Sequence, residues 1–289
     1  MPDTKQAYSK QLKEFTKQAK RAFETSIEAK DIDAGAQRYW ASVLLVRISC
    51  LCASVLQICP RSVLNERGLN WDAQGVCSLC RTIFEAVLVL HYVLEEVPEE
   101  EWEARITLIH LADCTERIRF FSQHGDHNNV ASFVVAAVGL RERLQSNSFF
   151  QLLPEKKRKQ LLNGETPCFL SKTQIISSLG RDPDPVLYSY RWLSNHTHTF
   201  PFGFHRTREH HRDGTENEVD RSYFAVALEL ASGWMSFAID RFQAAFADLA
   251  IFGTHSFDFK VLMSGGTELS PRDEALIVRT FGPNKLPRV

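Results

Sequence analysis

The sequence predicts an all-α fold: a bundle of long helices, with one excursion of short helical pieces and one histidine-rich loop. Three observations carry that prediction. Apolar residues recur at three- and four-residue spacing through several long segments. Helix-start signals and Pro or Gly breaks punctuate those segments. No strand-rich region, internal repeat or low-complexity stretch stands out. The expected organisation is an N-terminal amphipathic helix at 1–33, a helical core at 34–253 and a C-terminal extension at 254–289. The excursion falls at 146–182 and the histidine-rich loop at 199–219.

The helices follow in order. Residues 4–30 carry Leu12, Phe15, Ala19, Phe23 and Ile27 on one face. Six lysines lie on this segment, but Glu14, Glu24 and Glu28 interrupt the charge, so a solvated face is the simpler reading. A second helix is expected over 34–59. Its part from Ala41 to Cys59 is almost long and apolar enough to cross a bilayer. Arg47 in mid-segment, and the lack of other such segments, favour a buried central helix in which Arg47 needs a partner or a wet groove. A third helix, 72–95, has Val76, Cys80, Phe84, Val87, Leu88 and Val93 as core candidates. It also carries Arg81 and Glu85 one turn apart, a spacing that suits an ion pair.

Pro98 opens a fourth helix with Glu99, Glu100 and Glu101 in its first turn, where the helix dipole favours negative charge. Ser122 to Asn129 reads as a polar turn and 129–145 as another helix. A short helix follows Pro154, and Ser171 to Leu179 forms another that ends at Gly180. Asp184 and Pro185 start the helix that reaches Asn195 or His198 before Pro201 and Gly203 break it. The last long helix spans 220–251, with Tyr223, Val226, Leu230, Trp234, Ala238, Phe242 and Ala245 as its apolar side. Asp240 on this helix is expected to pair with an arginine. Ser270, Pro271 and Asp273 read as a further helix start, and 252–262 as extended chain.

Composition narrows the function classes. The chain has 289 residues, 44% hydrophobic and 24% charged, with a net charge of -1. That balance does not support a globally basic nucleic-acid clamp. The seven cysteines lie mostly in apolar helical stretches and the N-terminus is polar, so reduced thiols and a cytoplasmic location are expected. Cys77 and Cys80 form one CxxC. A structural zinc site wants four ligands and no second CxxC exists, so the pair reads as small apolar residues one turn apart.

The densest chemistry lies in DPDPVLYSYRWLSNHTHTFPFGFHRTREHH, Asp182 to His211, which holds five of the ten histidines. Arg191 precedes His196 by five residues and His198 by seven. Histidine titrates near neutrality and can move a proton; arginine can neutralise a phosphate. Ser194 suits a hydrogen bond to phosphate. Tyr188, Tyr190 and Trp192 would stack bases, although aromatics at helical spacing are more often core. Arg81 and Glu85 would organise the same groove. His196, His198, His205, His210 and His211, with Glu209 and Asp213, also suggest a metal, but no HExxH or separated carboxylate set fixes one.

RWLSNH and RWLSNHTH resemble the HEPN superfamily, helical proteins whose ribonuclease members carry an Arg, four to six residues, then a His. The wider YSYRWLSNHTH looks like the signature of an uncharacterised helical family in which Arg, Leu-Ser and a later His recur. There His198 corresponds to that His, and RTIFEA around Arg81 and Glu85 is similar to the family's earlier helix. The likeness covers residues 35–120 and 183–245. It implies a metal-independent endoribonuclease with Arg191, His196 and His198 as catalytic candidates. Arg81, Glu85, Ser194 and Tyr190 would then bind substrate. RNA is the expected partner, a homodimer the expected assembly, and no cofactor, metal or transmembrane anchor is expected. An antitoxin or other protein partner is not specified. Two alternatives stay open: a non-catalytic helical module binding RNA, a nucleotide or a protein, and a metal-dependent hydrolase.

Overall fold

Why the long helices sit where they do follows from their apolar faces. The computed structural model describes residues 3–30, 32, 35–197, 214–249 and 251–253. Among these it contains ten α-helices and no strand. The chain divides into two compact units: the first holds residues up to Leu94 and from Arg181 onward, the second runs from Glu95 to Gly180. The second is wider than the excursion expected at 146–182, because two full-length helices belong to it.

In the first unit, α1 (Thr4–Glu28) is capped by Asp3, whose carboxylate accepts from the backbone N–H of Lys5 and Gln6. It buries Tyr8, Leu12, Phe15, Ala19, Ala22 and Phe23; Ile27 is only half-buried. α2 (Gly35–Ile58) and α3 (Ala73–Leu94) pack side by side, and α10 (Glu218–Ala245) runs against α1, α3 and α2. All six expected core residues of α3 are buried. On α10 the expected face needs correction. Val226 is exposed, and the core is Phe224, Leu228, Ala231, Met235, Ile239 and Phe242. A helix apolar nearly all round gives periodicity little contrast, and the three neighbours choose the face.

Arg47 is exposed rather than buried, so it needs no internal partner. Asp240 pairs with Arg21 of α1, which also donates to Gln243 Oε1 at 3.0 Å. The last helix stops at Ala245, short of the expected 251. Phe246 turns inward, stacks on Phe242 at 4.5 Å and lies under the Arg38 guanidinium. Three helices, α2, α3 and α10, are long and apolar enough to cross a membrane by length and composition, so α2 is not alone in this respect. About half or more of each qualifying window is buried against the rest of the protein.

The connection from Pro60 to Trp71 is pinned at both ends. Tyr8 donates to the Pro60 carbonyl at 2.5 Å, and the Trp71 N–H donates to the Gly214 carbonyl at 3.0 Å. A Cβ on Gly68 would lie 2.3 Å from Pro60 Cα, so only glycine fits that approach. Buried Arg221, at the start of α10, donates to Thr4 Oγ1 and Glu216 Oε1, both at 3.0 Å, and Arg61 grips the other Glu216 oxygen. Burial works upward on the Glu216 carboxyl, but the hydrogen bond from Arg221 and the Arg61 charge win and hold it below its ordinary range.

The second unit is built on α4 (Glu99–Gln123) and α5 (His127–Ser146), joined by a tight turn that is shorter than expected. Asp126 caps α5 by accepting from the Asn129 backbone N–H, and the Asn129 side chain also donates to it. Those bonds lower its pKa, the side-chain one most. Arg105, 3% exposed, is held by Glu95 at 2.7 Å and Glu101 at 2.5 Å. Three short helices follow, α6 (Ser148–Gln151), α7 (Glu155–Leu162) and α8 (Lys172–Ser178). Ser171 and Gln174 form a reciprocal cap on α8, and Gly180 follows at φ +68.

Candidate functional site

Helix α9 (Pro183–Thr197) carries the site and packs along α3 in the first unit. Its N-terminus sits one residue before the expected Asp184–Pro185 start, where the Asp182 carboxylate accepts from the Asp184 backbone N–H at 3.1 Å. Proline at the first position has no N–H to satisfy, so the sequence DPDP starts a helix without loss.

The fold brings Arg81, Glu85 and Tyr190 together. Arg81 Nη2 donates to Glu85 Oε1 at 3.1 Å and to the Tyr190 hydroxyl at 2.9 Å; its Nε donates to the same hydroxyl at 3.2 Å. Tyr190 in turn donates to Glu85 Oε1 at 2.7 Å. The ring of Tyr190 lies 5.3 Å from Phe84, which is wedged edge-on against Trp234 at 4.7 Å. The three side chains thus bond one another. The ion pair is half-exposed, with side chains 22% and 36% open, so its net contribution is small, about 0.5 kcal/mol. With Tyr190 it joins α9 to α3 in one register.

That register sorts the remaining candidates. Arg191, one residue after Tyr190, is exposed. Ser194 is half-buried, and its hydroxyl donates back to the Tyr190 carbonyl at 2.9 Å, a bond within the helix. His196 is 3% exposed, with its imidazole 4.9 Å from the Trp192 ring and 5.1 Å from the Tyr223 ring of α10. It therefore faces the protein, not an open groove, although its spacing from Arg191 fits the expected motif. Five residues advance a helix by about 140° beyond a full turn, so the two side chains leave the axis on different sides. His198, His205, His210 and His211, with most of the histidine-rich loop expected at 199–219, lie outside the described residues, and α10 already begins at Glu218. So do the expected helix start at 270–274 and most of the extended chain at 252–262.

Tyr223 belongs to this corner without a signal in the sequence, where its spacing places it only on the apolar side of α10. Its neighbour Trp192, also half-buried, closes the other side of His196. The seven cysteines are free thiols. Burial pushes the Cys52, Cys59 and Cys80 thiols far above their ordinary value and Cys168 to about 11. A buried neutral thiol is a small apolar side chain, neither nucleophile nor metal ligand. Among the described residues, no group of three His, Cys, Asp or Glu side chains converges as metal ligands would.

Fold and site together define an all-helical protein whose chemistry gathers on one helix held to a central one by an Arg–Glu–Tyr triad. The chain belongs to DUF5677, a family of unknown function, which matches residues 38–217. The match runs from α2 through all of α9 to the approach of α10. No curated protein and no solved structure matches the chain.

Proposed function

We propose that this protein is a HEPN-like, metal-independent endoribonuclease of the cytoplasm, with Arg191 and His198 as its reacting pair. The observation that carries the reading is the split on α9: Arg191 is open to solvent while His196 is sealed between Trp192 and Tyr223. The split leaves His198, seven residues after the exposed Arg191, as the remaining histidine of the motif. The resemblance of RWLSNHTH to the HEPN signature supplies the chemistry. His198 takes the proton from an RNA 2′-hydroxyl, the freed oxygen attacks the adjacent phosphorus, and the bond from phosphorus to the 5′-oxygen breaks. The imidazolium returns its proton to that oxygen, leaving a 2′,3′-cyclic phosphate and a 5′-hydroxyl. Arg191 neutralises the charge that builds on the phosphate oxygens. His196 is a packing residue in this scheme.

The test is cleavage of end-labelled single-stranded RNA in EDTA. Arg191→Ala and His198→Ala should each lower the rate by at least about 100-fold with an unchanged melting temperature. His196→Phe, which keeps an aromatic ring between Trp192 and Tyr223, should retain cleavage. Loss of activity in EDTA that zinc restores would sink the metal-free mechanism. Trp192, which follows Arg191 where the resembling nucleases carry a polar residue and which packs against His196, favours a second reading, a module that binds RNA without cutting it. RNA bound by the wild type, weakened by Arg191→Ala and never cleaved would establish that reading instead.

A further inference from the structure

The second unit holds a partly open cavity of about 580 Å³, lined by the end of α5, by α6 and by one side of α7. Ligand pockets run from about 300 to about 1,000 Å³, so its size suits a small organic molecule. Its walls are tied to one another. Gln151 of α6 donates to the Gln145 carbonyl of α5 at 2.9 Å, and Arg141 of α5 donates to the Leu162 carbonyl of α7 at 2.9 Å. Arg158 and Lys159 supply the cavity's positive charge and Glu155 its carboxylate. Glu155 is already paired with Lys159 at 2.7 Å, which leaves Arg158 as the uncompensated charge. Its burial sets it apart. Arg105, Arg117, Arg119, Arg141 and Arg143 of the same unit each meet a protein acceptor. Arg158 Nε is shielded from solvent and meets no acceptor among the described residues. A shielded N–H without a partner is costly, and more so on a charged group. Lys156 and Lys157 strengthen the positive field of the helix.

We propose that this cavity binds a phosphate monoester of a small, hydroxyl-bearing compound, with the phosphate on Arg158. One edge of a guanidinium carries two parallel N–H groups that match two phosphate oxygens. A single ligand therefore satisfies the orphaned Nε and adds a second bond. Lys159 shares its exposed pairing with Glu155 to reach the same phosphate. Such a surface pair contributes little, so the exchange costs little. A phosphate dianion draws more attraction from this net positive site than a carboxylate does. Phosphate alone would leave most of the cavity unfilled. Gln145 keeps its side-chain amide, and Gln151 its amide oxygen, for the hydroxyls of the esterified part. Leu162 and buried Phe150 supply the apolar wall. This inference stands apart from the RNA reading: no residue of α9 takes part, and neither depends on the other.

Calorimetric titration of the full chain tests it, with ribose 5-phosphate as the probe and ribose, inorganic phosphate and acetate as comparisons. Ribose 5-phosphate should bind with a Kd on the order of 100 μM. Inorganic phosphate should bind about 10-fold more weakly, acetate more weakly again, and ribose not measurably. Arg158→Gln should weaken ribose 5-phosphate by at least about 30-fold. Its melting temperature should not fall, because the change removes an unsatisfied charge. Gln145→Ala, on the exposed rim, should weaken ribose 5-phosphate by about 5-fold and leave inorganic phosphate unaffected. That variant keeps the test open should Arg158→Gln fail to fold. Lys156→Gln removes the same charge from an exposed position of α7 outside the cavity, and should change the Kd by less than about 2-fold. No binding of ribose 5-phosphate overturns the proposal, as does ribose or acetate binding equally well. Equal losses in Arg158→Gln and Lys156→Gln would show a diffuse basic surface in place of a site, and overturn it too. Inorganic phosphate binding as tightly as ribose 5-phosphate overturns the role given to Gln145 and Gln151.

Discussion

Helices α10 and α5 start from similar material and end differently. Both are long, both carry apolar side chains around much of their circumference, and neither has a sharply one-sided pattern. α10 buries twelve of its 28 residues because α1, α2 and α3 surround it. α5 buries only Ala137 and Leu144 of its 20, because within its own unit α4 and the short α6 cover one side alone. The lesson is that apolar content says how much surface a helix would bury, while the number of neighbours says how much it does. The first unit therefore holds the larger core and the surface on which α9 packs. The second offers a surface.

The comparison can be broken most directly in the α10 core. Phe242→Ala removes a fully buried ring stacked on Phe246 and should cost about 3–5 kcal/mol, read as a large fall in thermal or urea midpoint. Tyr190→Phe tests the triad at the edge of that unit. It removes the hydroxyl that accepts from Arg81 and donates to Glu85, and should cost about 1 kcal/mol. If α9 is held by this triad, hydrogen exchange of its amides should also quicken while α1 and α10 stay protected.

Glu216 gives a smaller, pH-dependent effect. Its folded pKa lies below its unfolded value, so its contribution is present above the unfolded pKa and is lost as the pH falls through the folded one. Glu216→Gln should therefore be less stable than wild type at neutral pH, by under about 1 kcal/mol, with the difference fading in acid as the carboxylate protonates in the folded protein. Equal destabilisation at neutral and acid pH would show that the Arg61 and Arg221 contacts act through shape and not charge. The smallest effect is expected on α5. Val135→Ser should change the monomer's unfolding free energy by no more than about 0.5 kcal/mol, since its side chain is mostly in water. A large loss would mean that α5 is covered after all.

Much of the fold was legible in the sequence because helix boundaries are written locally. Ser171 with Gln174, and Asp126 before α5, each satisfy orphan backbone groups within a few residues, while Pro98 with three following glutamates marks a start by its fixed φ and by charge, with no side-chain cap. The face of α10 was not legible, and neither was the early stop of that helix at Ala245. Phe246 leaves the helix to fill a space set by Phe242 and Arg38, which no local pattern announces. At the candidate site, the pairing of Arg81 with Glu85 was readable from their four-residue spacing. The third member, Tyr190, is more than a hundred residues away and was visible only as an aromatic of uncertain use.

By itself the sequence determined that this chain is all-helical, where its long helices lie and which short stretch concentrates titratable groups. Those properties depend on backbone capping and on the 3.6-residue period, which act over a few turns. Only the tertiary structure decided that Arg191 faces water while His196 faces Trp192 and Tyr223. Their motif spacing is a distance along the chain, whereas exposure depends on how α9 is rotated against α3 and α10. The packing of α9 on α3 sets that rotation, and the Arg81–Glu85–Tyr190 contacts form only when the helices meet.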